Sequence, residues 1–504
     1  MIKPAVLVID VGTTGVKTSL FDFTCRPINT IFCAHGTAGW NLRAAAERWW
    51  QVAASSASEL SGRNPDRSIV AVGVTGFMHL VVALDAEGKP LALPPASPAS
   101  VITRSLFDRV LGEFGLERIH QITGSRLDMS SVPVQILAWR ERAAAELSRV
   151  AVLLPVKDFI RFRLTGEIAT DEIDACGTML YDVHHRQWRP ELVSYCGLEE
   201  RNLSPIMHCT DRAGRVTSEA AEAMRIPQGI PVAVGGGDDV EILGSGASKP
   251  SELCEHVGST GSFLMPLESP LMDPAFRFEL YPAIEPGEWV LGGPCSNVTR
   301  ALDWFLGLSP YGCGPPGAAG WQRVQADFSE MLAGPFSVRP MFLPYLYGER
   351  APYWNADLSA SWIGLRSHHT ASDLLYAVVE GICFSLRSVL DGYRDLGFAV
   401  ERVYSSGGFN ALGAQEFRAS VYGTPIRLPR NGDPTSAATA AITLCMLGEL
   451  AHPREATAWL EFGPEAEPDP VWQEALNERF ALFTGHTRRL LSSARPAPNL
   501  TARS

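Results

Sequence analysis

Asp10 ends the apolar run "VLVID", and Gly12-Thr13-Thr14-Gly15 follow almost at once, before a second run, "VKTSLFDF", begins. A turn of two glycines and two threonines presents free backbone N–H groups and hydroxyls, which together suit phosphate oxygens. A carboxylate beside such a turn suits Mg²⁺, an ion held by one or two carboxylates and otherwise by water and phosphate. The same letters also spell an ordinary hairpin turn with a polar residue at the strand end, and one motif does not separate the two readings. Two companions tip the balance. "GSTGS" (Gly258 to Ser262) is a second turn of the same chemistry, and "SSGGF" (Ser405 to Phe409) places two glycines after a strand, where a flat base can lie on backbone that carries no Cβ. Three such turns, spaced for two facing domains, point to a nucleotide gripped from both sides.

The elements around these turns must hold them at strand ends. "VLVID" and "VKTSLFDF" read as strands, a third strand is expected near "NTIFCAHG", and "NLRAAAERWWQVAASSASEL" has the 3.6-residue spacing of a helix. A buried strand "SIVAVGVTGF" and a hairpin around "DAEGK" come next, followed by helical patterns through "LFDRVLGEFGLERIHQITG" and "PVQILAWRERAAAELSRV". Near the midpoint "IPVAVGGGDDVEILGSGA" is read as a strand, and "SKPSELCEHVGSTGSFLMP" repeats the strand-turn-strand logic of the N-terminus. The small, polar stretch between residues 244 and 252 divides the chain into similar halves. Further on, "PPGAAG" is expected as a loop, and "TASDLLYAVVEGICFSLRSVLDGYRDLG" as a long helix with Thr370 and Asp373 as a capping pair. "DPTSAATAAITLCMLGEL" is expected as a helix whose small residues admit a ligand or a neighbouring backbone. The expected class is α/β, with two related domains facing each other across a cleft.

Bulk properties agree with that architecture. A chain of 504 residues exceeds the roughly 250 to 300 at which single cores stop growing. With 46% hydrophobic residues, a mean hydropathy of +0.03 and no apolar run of the ~18 residues that span a bilayer, no membrane association is expected. The N-terminus carries no secretory pattern, so a cytoplasmic location is expected. A formal charge of −12, with no basic block, argues against nucleic acid as a partner. Ten scattered cysteines, without a Cys-x-x-Cys pair, read as reduced thiols.

With these residues in view, the chain resembles the FGGY family of carbohydrate kinases, within the actin-like ATPase superfamily. The most specific stretch is "ASWIGLRSHHTASDLLYAVVEG" (Ala360 to Gly381), preceded by "YGERAPYW". "RLTGEIATDEIDACGTMLYDVHHRQW" and "VGGGDDVEILGSG" are similar to further family segments. The resemblance spans roughly residues 5 to 485. It implies two ribonuclease-H-like (actin-like ATPase) domains across a catalytic cleft: residues 1–246 for sugar and catalytic base, 247–490 for ATP, and a tail over 491–504. It also implies ATP and Mg²⁺, a small sugar as partner, and allows a homodimer.

Residue by residue, the resemblance puts the base at Asp238, which is also substrate-binding, and makes Asp239 its non-catalytic neighbour; the alternative is that this acidic pair caps the following helix. Asp10 would help hold Mg²⁺. Thr13, Thr14, Gly258, Ser259 and Thr260 would line the phosphates, and Gly407, Gly408 and Asn410 the adenosine. Lys17 would reach a phosphate or be a solvated strand lysine. "TGFMHL" resembles the Gln-Met-His segment of xylulokinases, where Met and His touch sugar; Met78 and His79 remain, but Phe77 replaces Gln. His79 is read as a sugar ligand, against the alternative of a structural histidine.

Elsewhere the pattern departs. Ile102 stands where an acid of a Trp-x-Asp-x-Arg segment is expected, although Arg104 is kept, and Ile136 replaces a lysine. "CSNVTRALDWF" keeps Asn297 and Trp304 without the usual glycine pair. These losses spare the ATP machinery and bear on the substrate. The resemblance therefore implies a kinase for a small sugar, first of all a pentulose such as xylulose. A gluconate, hexulose or polyol kinase is the alternative, and a catalytically weak sugar or nucleotide sensor is the reading of a different class.

Overall fold

The computed structural model describes residues 2–37, 39–95, 101–308, 318–332, 339–430 and 433–493. β1 (Lys3–Val11), β2 (Gly15–Phe21), β3 (Pro27–Ala34), β4 (Arg67–Gly76), β9 (Arg212–Arg215) and β10 (Pro231–Ala233) form one sheet, in the order β3-β2-β1-β4-β10-β9. Two ribbons are inserted between β4 and β9: β5 (Val81–Leu84) with β6 (Val152–Pro155), and β7 (Tyr181–Asp182) with β8 (Gln187–Trp188). β11 (Glu252–Val257), β12 (Gly261–Leu267), β13 (Glu279–Pro282), β14 (Trp289–Cys295), β17 (Arg402–Ser406) and β18 (Ile426–Arg427) form the second sheet, in the order β13-β14-β12-β11-β17-β18. β15 (Met341–Leu343) and β16 (Ser361–Ile363) are its inserted ribbon.

The two sheets share one plan. β1 runs antiparallel to β2 and parallel to β4; β11 runs antiparallel to β12 and parallel to β17. Each Gly/Ser/Thr turn thus joins the central strand of a sheet to its antiparallel neighbour. The last seven residues of β1 are all buried, as a central strand covered on both faces requires.

Pro434–Leu447 behaves as its small residues predict. Its first eleven residues are buried, and Ala437, Ala438, Ala440, Ala441, Ile442 and Leu444 join the core built around the first sheet, although they follow the second in sequence. A Cβ at Gly244 would lie 2.0 Å from the Pro434 carbonyl oxygen, and one at Gly73 would lie 2.2 Å from Thr443 Oγ1. Glycine is what lets these backbones meet. The stretch 244–252 begins in helix Glu241–Ser245, which packs on helix Pro434–Leu447, and ends at the start of β11.

Several local expectations change. Thr370 and Asp373 form a reciprocal capping box on Ala371–Asp395, as the sequence predicts. The "DAEGK" turn forms, with Gly88 N–H donating to Asp85 O at 2.9 Å, but the strand before it pairs chiefly with β6. Of "PPGAAG", residues 315–317 lie outside the described residues, and 318–320 open a helix, Ala318–Leu332, instead of a loop. Helix Pro470–Ser493 runs into the expected tail, whose remainder lies outside the described residues. All described cysteines are free thiols, and among the described residues no helix is long and apolar enough to cross a membrane.

Candidate active site

Asp10 and Lys17 sit opposite each other on β1 and β2, and Gly12 N–H donates to Gly15 O at 2.9 Å to close the turn between them. Gly15 is obligatory, because a Cβ there would lie 2.6 Å from the Cys33 carbonyl oxygen. Thr13 and Thr14 are exposed at the turn's tip. Lys17 is not a solvated strand lysine: its ammonium lies 2.8 Å from Asp433 and 3.7 Å from Asp10. Burial pushes the Asp10 carboxyl up to about 6, with Lys17 opposing and Asp433 and Glu241 adding to the rise. A buried carboxylate with too little positive charge around it fits a cation. Among the described residues Asp10 is not part of any three-ligand cluster, which matches an ion that takes most of its ligands from water and phosphate.

The second turn adjoins the His256 ring. Thr299 N–H donates to Gly258 O at 3.0 Å and Arg300 N–H to Ser259 O at 3.3 Å, so helix Thr299–Gly307 engages the turn's carbonyls. Ser259 and Thr260 are partly exposed. A cleft of about 590 Å³ opens between the domains, lined by Lys17, His256, Ser406, Gly407, Gly408 and Asp433 among others. Gly407 adopts φ +99°, and a Cβ there would lie 2.6 Å from the Val257 backbone; Gly408 beside it is open. Asn410 lines the cleft, but its side chain is committed to the protein. Its Oδ1 accepts from Arg418 at 2.7 Å, and Arg418 is buried against Glu255, so Asn410 braces the glycine turn.

Asp238 and Asp239, within electrostatic reach of Asp10 and His256 respectively, are not on a strand. Gly235 takes φ +73°, β10 ends at Ala233, and Asp238–Val240 is a 3₁₀ turn that leads into helix Glu241–Ser245. The alternation expected of strand neighbours therefore does not apply to the acidic pair. Burial raises the Asp238 carboxyl well above its usual range, reinforced by the charges of Asp239, Glu241, Asp10 and Asp174. Burial likewise pushes Asp239 up to about 7, with Glu241 and Glu279 adding to it.

Met78 packs directly against the Asp238 loop: a Cβ at Gly237 would lie 2.6 Å from its Cγ. His79 adopts φ +67°, its Nδ1 is 3.1 Å from Gly177 O, and its own carbonyl accepts from Gln135 at 3.0 Å. Phe77 turns away to meet Trp49 edge-on, with centroids 5.8 Å apart. Ile136 is fully buried, and Arg104 reaches across to Asp357 at 2.7 Å. The side chain of Ile102 lies outside the described residues.

Four acids and a histidine escaped the sequence reading. Glu279, on β13 of the second sheet, is buried, accepts from Tyr281 Oη at 2.5 Å, and feels the charge of His79 across the domain junction. His256 and Glu241 form an ion pair at 3.1 Å. Asp433 caps helix Pro434–Leu447 while holding Lys17. Glu349, in the "YGERAP" stretch, accepts from Ser296 N–H, Arg350 N–H, Asn297 and Ser385, so this stretch knits the second domain together. Only Asp433, ahead of a proline that opens a helix, carried a local signal.

The densest acidic group lies under the site. Asp158, Asp171 and Asp174 gather their oxygens within 4.8 Å of one another, and Lys157 fills the space between them, at 2.6, 2.8 and 3.2 Å respectively. The ammonium does there what a metal would. Asp174 also borders Gly237, where a Cβ would lie 3.3 Å from its Oδ1.

Two ribonuclease-H-like sheets of one plan, each with a Gly/Ser/Thr turn after its central strand, define a two-domain fold of the actin-like ATPase class. The comparisons narrow this. The N-terminal domain of the FGGY family of carbohydrate kinases matches residues 5–243, and its C-terminal domain matches residues 256–476. The chain belongs to the FGGY family of carbohydrate kinases, and is therefore a sugar kinase that uses ATP. It is 28% identical to a xylulose kinase of Klebsiella pneumoniae over 440 residues, covering 86% of this chain and 88% of that protein. It is 25% identical to a gluconokinase of Bacillus subtilis over 464 residues, covering 88% and 86%. A ligand-bound xylulose kinase structure from Lactobacillus acidophilus superposes with a TM-score of 0.85 at 21% identity, over 97% of this chain and 99% of that one.

Proposed function

We propose that the protein transfers the γ-phosphoryl group of ATP to a hydroxyl of a small neutral sugar, a pentulose such as xylulose, with Asp238 as general base. One observation carries this reading: Asp238 lies close enough to Asp10, beside the first turn, to feel its charge, while Met78 packs against its loop and His79 is next in the chain. Phosphoryl transfer asks for in-line placement, charge neutralisation and a group to take the hydroxyl proton. Burial and neighbouring acids raise the Asp238 carboxyl, so that its ionised form, once the proton is lost, is a stronger base than a carboxylate in water. The proton leaves the sugar oxygen for Asp238 as that oxygen bonds to phosphorus and the bond to the ADP oxygen breaks.

Thr13 and Thr14 from one domain and Gly258, Ser259 and Thr260 from the other offer N–H groups and hydroxyls to the phosphates, and Gly407 and Gly408 offer a flat surface to the adenosine. Asp10 is the residue suited to Mg²⁺, which would offset phosphate charge when bound. Closure of the two domains on both substrates would exclude water.

A neutral substrate is favoured over an aldonate. Glu279 feels the charge of Asp128, and Asp239 that of Glu279, with Arg350 opposing at both, so a substrate carboxylate would meet more acid than base. Gluconate remains the second reading because of the Bacillus subtilis gluconokinase. The test is sugar-dependent ADP release over pentuloses, hexuloses, polyols and aldonates, with Asp238→Asn in parallel. One ketose that turns over in the parent and not in the variant supports the reading; an aldonate as best substrate overturns it.

A further inference from the structure

His256 lies in the cleft and has no role in the reaction as set out above. It is the last but one residue of β11, two before Gly258 of the second turn, and its side chain is 39% exposed. The ring is fixed from one side: Nδ1 lies 3.1 Å from Glu241 Oε2 and 3.2 Å from Ser406 Oγ. Glu241 is itself 4% exposed and anchored, with Thr435 Oγ1 donating to it at 3.3 Å and Cys254 Sγ at 3.7 Å. With Nδ1 committed as donor to a carboxylate, the other nitrogen is left to the cleft. Nε2 lies beside the turn itself, since a Cβ at Gly258 would be 2.8 Å from it. Gly258 is therefore the residue that leaves room for the imidazole.

The other cation lining this cleft, Lys17, is held between Asp433 and Asp10. Asp433 lines the cleft as well, and Asp10 and Glu241 are buried close by, so a polyphosphate entering it meets acid as well as base. We propose that His256, anchored by Glu241, donates from Nε2 to an oxygen of the nucleotide's polyphosphate chain at the Gly258 turn. The inference rests on the reading of this cleft as the ATP site. Burial alone would lower the imidazole's pKa, but Glu241, with Asp433 and Asp238 behind it, outweighs burial and pushes it up to about 9. The ring is then cationic at neutral pH, and a hydrogen bond from a charged donor to phosphate is among the stronger kinds.

The test is calorimetric binding of three probes without sugar: a non-hydrolysable imido analogue of ATP with Mg²⁺, AMP, and adenosine. His256→Asn keeps a donor for Glu241 and removes the Nε2 cation. The expected result is about 10- to 100-fold weaker binding of the ATP analogue, with adenosine unchanged. Equal loss for adenosine, or no loss for the analogue, overturns the proposal. Should His256→Asn lower Tm steeply, ¹⁵N shifts of the His256 ring in the unaltered protein decide: Nε2 moves with the ATP analogue and not with adenosine, or the proposal falls. Failure of the unaltered protein to bind any of the three probes overturns the reading of the cleft itself, a different outcome from a silent variant.

Discussion

Met78 and Gly237 compete for the same space. Any Cβ at residue 237 would lie 2.6 Å from Met78 Cγ and 2.7 Å from its Sδ. The backbone at 237, with φ −55° and ψ 168°, suits any residue, so the glycine is there for the methionine. Gly237→Ala therefore pushes Met78 out of place without straining the chain. The expected result is a stability loss of about 1–3 kcal/mol and a drop of about 10²-fold in kcat/KM for sugar, with ATP affinity retained. Steady-state kinetics with each substrate varied in turn checks this; a loss confined to ATP would show that Met78 does not serve the sugar end.

Asp238→Asn separates catalysis from stability. Turnover should fall by about 10²- to 10⁴-fold, the range for a lost general base. Stability should move the other way. The folded-state pKa of Asp238 is raised, so above about pH 4 the unfolded chain releases this proton while the folded chain keeps it, and the unfolded state binds fewer protons. Stability contributed by this site is therefore full below pH 4 and declines as pH rises toward the folded-state value. Asparagine cannot ionise and escapes the decline. Tm of the variant should match the parent near pH 3.5 and exceed it at pH 7, measured without nucleotide or metal.

Much of the site could be read from sequence because it is local. The Asp10 turn, the Gly258 turn and the Gly407-Gly408 pair each lie within a few consecutive residues joining strand to strand or strand to helix, and glycine marks where no Cβ fits. The repeated strand order of the two sheets likewise follows from two strand-turn-strand runs of the same logic. Non-local pairs left no such trace. Glu279 feels His79 only because β13 docks against the other domain, where Leu280 N–H donates to Gly124 O at 2.8 Å. His256 finds Glu241 across two elements, and Lys17 finds Asp433 from opposite ends of the chain. The strand expected through Asp238 failed for a local reason: Gly235 at φ +73° breaks the extended chain before the acids are reached.

Lys157 is fully buried among Asp158, Asp171 and Asp174, and these carboxylates hold its ammonium charged well above the ordinary lysine range, against burial. Removing it strands buried negative charge. Lys157→Met should cost about 3–5 kcal/mol in denaturant unfolding. Adding Asp174→Asn removes one of the carboxylates that then repel each other, so the double variant should recover part of the loss, with a coupling of about 0.5–3 kcal/mol. Strict additivity would mean that Asp174 does not belong to the cluster.

Glu279 is where substrate charge can be tested. The family match leaves both a neutral ketose and an anionic aldonate open, since the chain is similar to a xylulose kinase and to a gluconokinase. Burial raises the Glu279 carboxyl, and His79 and the Tyr281 hydroxyl bring it back toward ionisation. An ionised Glu279 would repel an aldonate carboxylate and accept from a sugar hydroxyl; like-charge contact of this kind costs several kcal/mol. Glu279→Gln keeps size and hydrogen bonding while removing the charge. The ratio of kcat/KM for the best ketose to that for gluconate should narrow by about tenfold or more, mostly because gluconate improves. If both substrates fall together and the ratio holds, Glu279 supports the domain junction without reading the charge of the sugar.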